Sequence, residues 1–143
     1  MIKLLFSKDE NFLLQCARIG NLKSFKQYFE DENTDVNWKS SQFEETPLFV
    51  ACQNGRLEIV KYMLASKREL NILSKNYKGI SPLEIAKINS ELQEKLDHEK
   101  NGEMKQRQID CLSIYNLLQE YQVNPKEMKK QLRKDLNLNS TFL

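Results

Sequence analysis

The chain repeats itself at an interval of 35 residues, and this periodicity limits what it can fold into more than any other feature. Leu13-Leu14-Gln15-Cys16-Ala17-Arg18-Ile19-Gly20-Asn21-Leu22 falls on Leu48-Phe49-Val50-Ala51-Cys52-Gln53-Asn54-Gly55-Arg56-Leu57 after a shift of 35. A second shift of 35 sets Leu48 on Leu83, Ala51 on Ala86 and Thr46-Pro47 on Ser81-Pro82. Units of this length are supersecondary pieces that cannot bury their apolar faces alone, so copies must stack to share one core.

Each unit reads as a helix, a tight turn and a helix. Thr46-Pro47 and Ser81-Pro82 place a hydroxyl at an N-cap and proline at the first helical position, where no backbone donor is lost. Leu48, Ala51 and Cys52 share one helical face, and its small residues allow a neighbouring helix to approach closely. Gly55 stops this helix at a position that tolerates a left-handed backbone. Leu57, Ile59, Val60, Met63 and Leu64 then recur at helical spacing and predict a second amphipathic helix.

The run from Thr46 to Leu64 resembles the ankyrin repeat, whose pattern reads T-P-L-H-x-A-A-x-x-G-H-x-E-V-V-x-L-L-L. Phe49 and Arg56 stand where that pattern has histidines. Asp35-Val36-Asn37 and Leu70-Asn71 are similar to the D-V-N turn that leads into the next repeat. The resemblance spans residues 5–122 less one insertion and is strongest over 44–79. It implies an all-α solenoid of helix-turn-helix units with short β-hairpin fingers. The units would cover 5–40, 41–75 and 76–122, within a repeat domain of residues 1–122. Residues 123–143 would add a basic capping helix and a tail.

The third unit departs from the pattern. After Ile85-Ala86-Lys87-Ile88 the chain runs through a charged stretch, 89–107, with Asn101-Gly102 as its turn signal. Apolar residues recur at Ile85, Ile88, Leu92 and Leu96, then at Met104, Ile109, Leu112, Tyr115 and Leu118. Two long helices, 82–99 and 103–121, joined at Asn101-Gly102 and projecting from the stack, explain this spacing. A solvated loop over 90–106 is the alternative. Asn124-Pro125 opens a final helix over 125–136, with Met128, Leu132 and Leu136 on one side among Lys126, Lys129, Lys130, Arg133 and Lys134. This helix reads as a cap on the last repeat; a basic docking element for an acidic partner is the sharper reading. Leu138, Phe142 and Leu143 mark the tail, as a docking peptide or a frayed end.

Signals of chemistry are missing from the sequence. His98 is the single histidine and has no cysteine or second histidine beside it, so a zinc site is not expected. Cys16 and Cys52 occupy small-residue packing positions, and the three cysteines form no CxxC pair, as expected of reduced thiols inside a cell. The acidic clusters Glu30-Asp31-Glu32 and Glu44-Glu45 fall in turns and are expected to be solvated. No phosphate loop or nucleophile elbow occurs, and no cofactor is expected. The net charge of +2 argues against a global field for nucleic acid or membranes. No apolar run approaches the ~20 residues of a membrane span, and the start, Met1 to Phe6, is too short for a secretion signal. A cytoplasmic or nuclear location follows as an expectation.

The resemblance also implies where a partner binds: a concave face built from the fingers and the outer flank of each first helix. Carried over by position, that face holds Arg18 and Ile19 in the first unit. Gln42, Phe43, Glu45, Gln53 and Asn54 follow in the second, and Tyr77, Lys78, Ile80, Ile88 and Asn89 in the third. Trp38 follows the D-V-N turn, and aromatic residues dominate binding hot spots. Trp38, Phe43 and Tyr77 are therefore candidate anchors along one groove, although Trp38 could equally pack its finger against a neighbour. The expected function is a non-enzymatic intracellular adaptor or accessory subunit. Alternatives are an inhibitor that covers a face of an enzyme, and a nucleic-acid-associated factor working through Lys126, Lys130, Arg133 and Lys134.

Overall fold

A computed structural model describes residues 2–91 and 102–138, with side chains over 9–91 and 106–138. Helices α1 (Ile2–Ile19) and α2 (Leu22–Phe29) form the first pair, and α3 (Pro47–Gln53) and α4 (Leu57–Ala65) the second. The third pair is α5 (Pro82–Glu91) and α6 (Gly102–Val123), and α7 (Pro125–Asp135) ends the described chain. The first helices, α1, α3 and α5, pack side by side as an inner layer, and α2, α4 and α6 form the outer one. Helices cover more than half of the residues, as expected.

Local chemistry sets the helix ends. The Thr46 hydroxyl accepts a hydrogen bond from the Phe49 amide at 3.2 Å. Ser81 and Glu84 bond reciprocally: Oγ accepts from the Glu84 amide at 3.2 Å, and the Glu84 carboxylate accepts from the Ser81 amide at 2.7 Å. That capping box satisfies two orphan donors at once. Gly20 and Gly55, one repeat apart, end α1 and α3 at φ +87° and +67°. At Gly55 the reason is double, because a Cβ would also stand 3.1 Å from the Arg107 carbonyl oxygen.

The repeat register lines the core. Leu13 and Leu48 are buried, and Leu83 is partly buried against the same cluster. Ala51, Cys52 and Ala86 have no exposed surface. Ala51→Leu would push a larger side chain into this close-packed layer and should cost ~1–3 kcal/mol. Urea melts read this directly, and an unchanged midpoint would mean the inner helices do not meet at Ala51. In the outer layer Phe25 stacks on Phe29 at 5.4 Å, and Tyr62 of α4 meets their edges at 6.3 and 5.5 Å.

Polar side chains bridge neighbouring units at equivalent places. Arg56 Nε donates to the Arg18 carbonyl at 3.0 Å. One repeat on, Asn89 Nδ2 and Arg107 each donate to the Gln53 carbonyl at 2.8 Å. These carbonyls sit at the ends of α1 and α3, where backbone acceptors lack helical partners. Asn37 serves the turn rows, donating to the Glu69 carbonyl and accepting from the Asn71 amide, both at 2.8 Å.

Three expectations need correction or qualification. The fingers carry no β-strand among the described residues. Each is a closed turn, with Ser40 N to Glu45 O at 3.0 Å and Asn76 N to Ile80 O at 2.9 Å. Each closing residue is followed at once by a helix cap, Thr46 or Ser81, so no residues are left to extend a ladder. In the third unit, α5 is described to Glu91 and α6 begins at Gly102, so the joint at Asn101 and the stretch 92–99 lie outside the described residues, as does His98. The flanks of the insertion are tied together, since Gln108 Nε2 donates to the Ser90 carbonyl at 2.9 Å. The final helix forms where expected, with the Asn124 side chain accepting from the Glu127 amide. However, it packs on the outer layer, against α4 and α6, rather than on the end of the stack. Leu132 is buried there, and Lys129 and Arg133 donate to the carbonyls of Ser66 and Ala65 at the end of α4. Cations at a helix C-terminus satisfy orphan carbonyls and complement the helix dipole. The tail positions Phe142 and Leu143 lie outside the described residues.

Candidate binding surface

Between the second and third fingers lies an open cleft of about 310 Å³. Phe43 and Tyr77 project from successive fingers, 41% and 52% exposed, with ring centroids 5.7 Å apart and planes tilted by 46°. A backbone bond from Tyr77 N to Phe43 O, 3.1 Å long, fixes their separation. The third finger is held from within: Asn76 Oδ1 accepts from the amides of Lys78 and Ile80, each at 3.0 Å. Asn favours this local turn because its side chain mimics a backbone acceptor. Lys78 Nζ lies 5.6 Å from the centre of the Tyr77 ring. Phe49 and Ile85, both buried, form the apolar floor.

A charged pair closes the other side. Arg18 of α1 stands 3.8 Å from the carboxylate of Glu45, which is 8% exposed. Burial pushes the Glu45 carboxyl above its usual range, and the Arg18 guanidinium opposes that shift. The residues lining the cleft include no serine, cysteine or histidine. An apolar floor, an aromatic platform and fixed charges of both signs suit contact with a protein surface, where aromatic and Arg side chains carry much of the binding energy.

Residues 13–97 match a family model for ankyrin repeats in three copies. The chain belongs to the ankyrin-repeat family. It is also similar to the human protein named ankyrin repeat domain-containing protein 7, with 35% identity over 57 residues, which is 40% of this chain. That stretch is 22% of the human protein, so the likeness concerns a repeat segment and not the whole relative.

The ankyrin register brings Arg18, Phe43, Glu45, Gln53, Tyr77, Lys78 and Ile80 together around the cleft. It does not bring the other candidates there. Trp38 is half-buried and packs against the core cluster, the alternative open to it from the sequence, and it does not line the cleft. Asn54 lines a separate polar cleft with Arg56, Arg107 and Asp110, and its amide donates to Val50 O. Asn89 is turned into the stack by its bond to Gln53 O. Ile19, Gln42 and Ile88 are exposed but stand outside the lining. Register counting passed over Phe49, Asn76 and Ile85. Phe49 replaces the pattern's histidine, and Asn76 was visible as the start of an Asn-x-x-Gly turn ending at Gly79.

In the acidic clusters Glu30, Asp31, Glu32 and Glu44 are exposed as expected, and Glu45 departs from that. Glu45 is buried beside Arg18, and Glu30 accepts a 2.8 Å hydrogen bond from the Tyr62 hydroxyl. The basic set on α7 divides, because Arg133 is spent on Ala65 O while Lys126, Lys130 and Lys134 remain exposed. Among the described residues, no helix is long and apolar enough to cross a membrane.

Proposed function

We propose that this ankyrin-repeat chain is a non-enzymatic, intracellular protein-binding module, an adaptor or accessory subunit that holds one partner in the cleft between its second and third fingers. Ankyrin repeats are protein-interaction modules. The observation that carries the reading is the Phe43–Tyr77 pair: two large rings half in solvent, held at fixed spacing by the backbone over an apolar floor. A soluble protein exposes single apolar residues at little cost, but a rigid aromatic pair beside a half-exposed ion pair is poised to be covered. Holding the rings in place before binding also removes much of the ordering entropy that a contact otherwise costs.

Site-directed photo-crosslinking in cells tests the assignment. A benzophenone amino acid at position 43, 53 or 77 should trap the same partner, while the same group at Lys23 or Lys87 should not. Trapping from Lys23 or Lys87 but from none of the cleft positions would place the working surface elsewhere.

A further inference from the structure

The cleft leaves one feature of the molecule unused, the outward face of α7. Residues 124–138 carry five basic and two acidic side chains, a net +3, against +2 for the whole chain, so all other residues together sum to −1. The excess positive charge of the protein is therefore gathered on its last helix. The packing of α7 sorts those five cations into two groups. Lys129 and Arg133 face α4 and are consumed by the carbonyls of Ser66 and Ala65. Lys126, Lys130 and Lys134 are exposed, and none of them is in an ion pair among the described residues. Among the described residues the two acids of the helix form no ion pair with them: Asp135 accepts from Gln131 at 2.7 Å, and Glu127, one turn before Lys130, is not paired with it. Positions i, i+4 and i+8 form a row with about 6 Å between successive side chains. The row is displayed on a rigid support, because Leu132 is buried beneath it and the two capping cations fasten the helix to α4.

We propose that Lys126, Lys130 and Lys134 form a second docking surface, on the outer layer and separate from the cleft, for an acidic protein segment. Carboxylates at i and i+4 on a partner helix, or at alternate residues of an extended segment, repeat at about 6 Å and match this row. Other anionic partners fit less well. Lipid-reading clusters carry about four to eight basic residues and are aided by apolar side chains that enter the bilayer. Here three lysines stand with Glu127 and Gln131 beside them. Nucleic-acid surfaces add aromatic platforms or forked arginines to their lysines, and the one arginine of α7 is already bound to Ala65 O.

The test uses the full chain at about 150 mM salt, where exposed charges more than ~8 Å apart are screened. The probe is a fluorescent helical peptide with Glu at i, i+4 and i+8, compared with the same peptide carrying Gln. The Glu peptide should bind at least about tenfold more tightly. Lys126→Glu, Lys130→Glu and Lys134→Glu together should lose that gain. A control with the same charge change elsewhere, Lys23→Glu, Lys75→Glu and Lys87→Glu, should stay within about twofold of the native affinity, since local complementarity and not net charge is at work. A Lys→Gln triple replaces the Glu triple if the latter folds poorly. Equal binding of the two peptides, equal losses in both triples, or tighter binding to an RNA hairpin or to phosphatidylserine vesicles would each overturn the proposal. The double variant Phe43→Ala, Tyr77→Ala should bind the Glu peptide normally, which separates this surface from the cleft.

Discussion

Phe25→Ala should remove about 3–5 kcal/mol of stability, the usual cost of emptying a buried aromatic site. Phe25 is fully buried and sits between Phe29 of its own helix and Tyr62 of the next repeat. A cavity there faces rings whose own positions are fixed. Tyr62 is tied to Glu30 through its hydroxyl, and Phe29 lies under the Arg68 guanidinium at 5.9 Å. Collapse into the void would break those contacts, so the neighbours relax little. A domain of this size is stable by roughly 5–15 kcal/mol, and the loss should lower Tm by about 10 °C or more. Because each repeat touches its neighbours alone, hydrogen exchange should accelerate first in α1 and α2. Phe12→Ala supplies the contrast: Phe12 stacks on Tyr28 at 5.7 Å but is 45% exposed. Its loss should cost no more than about 1 kcal/mol. Comparable melts for the two variants would mean that the outer-layer aromatic cluster does not couple the first two repeats.

Truncating Phe43 and Tyr77 together should weaken partner affinity by at least about 30-fold, since hot-spot residues cost about 2 kcal/mol or more on truncation. The same change should leave Tm within a few degrees, because both rings stand on fingers with much of their area in solvent. The two losses should not simply add. The rings touch at 5.7 Å, and removing one leaves the other less well placed. A titration series of both single variants and the double variant gives that coupling directly. Full affinity in the double variant would eliminate the cleft as the docking site whatever the partner.

Much of this molecule is legible in its sequence. Period, helix starts and helix stops were legible because they depend on local chemistry: Thr46 and Ser81 bond amides three residues on, and Gly20 and Gly55 take up positive φ. The inner-layer positions Leu13, Leu48, Ala51 and Ala86 followed from register, since a shift of one repeat returns each side chain to the same face. Register also placed the residues of the cleft that lie at equivalent repeat positions, among them Arg18 and Gln53.

What the tertiary structure alone decided is how far each side chain travels from its backbone position and what it meets there. Trp38 turns toward the core and Asn89 toward Gln53 O, although both occupy positions on the expected binding face. Glu45 lies out of solvent beside Arg18, a residue of the preceding unit. The amphipathic stripe of α7 foretold a buried side containing Leu132, but a stripe says nothing of its counterpart. The free carbonyls at the end of α4 receive Lys129 and Arg133, and this sets the helix on the outer layer with Lys126, Lys130 and Lys134 facing out. Hydrogen bonds and helix periodicity act over a few residues and are therefore written locally. The pairing of surfaces distant in sequence is chosen by the packing of the whole chain.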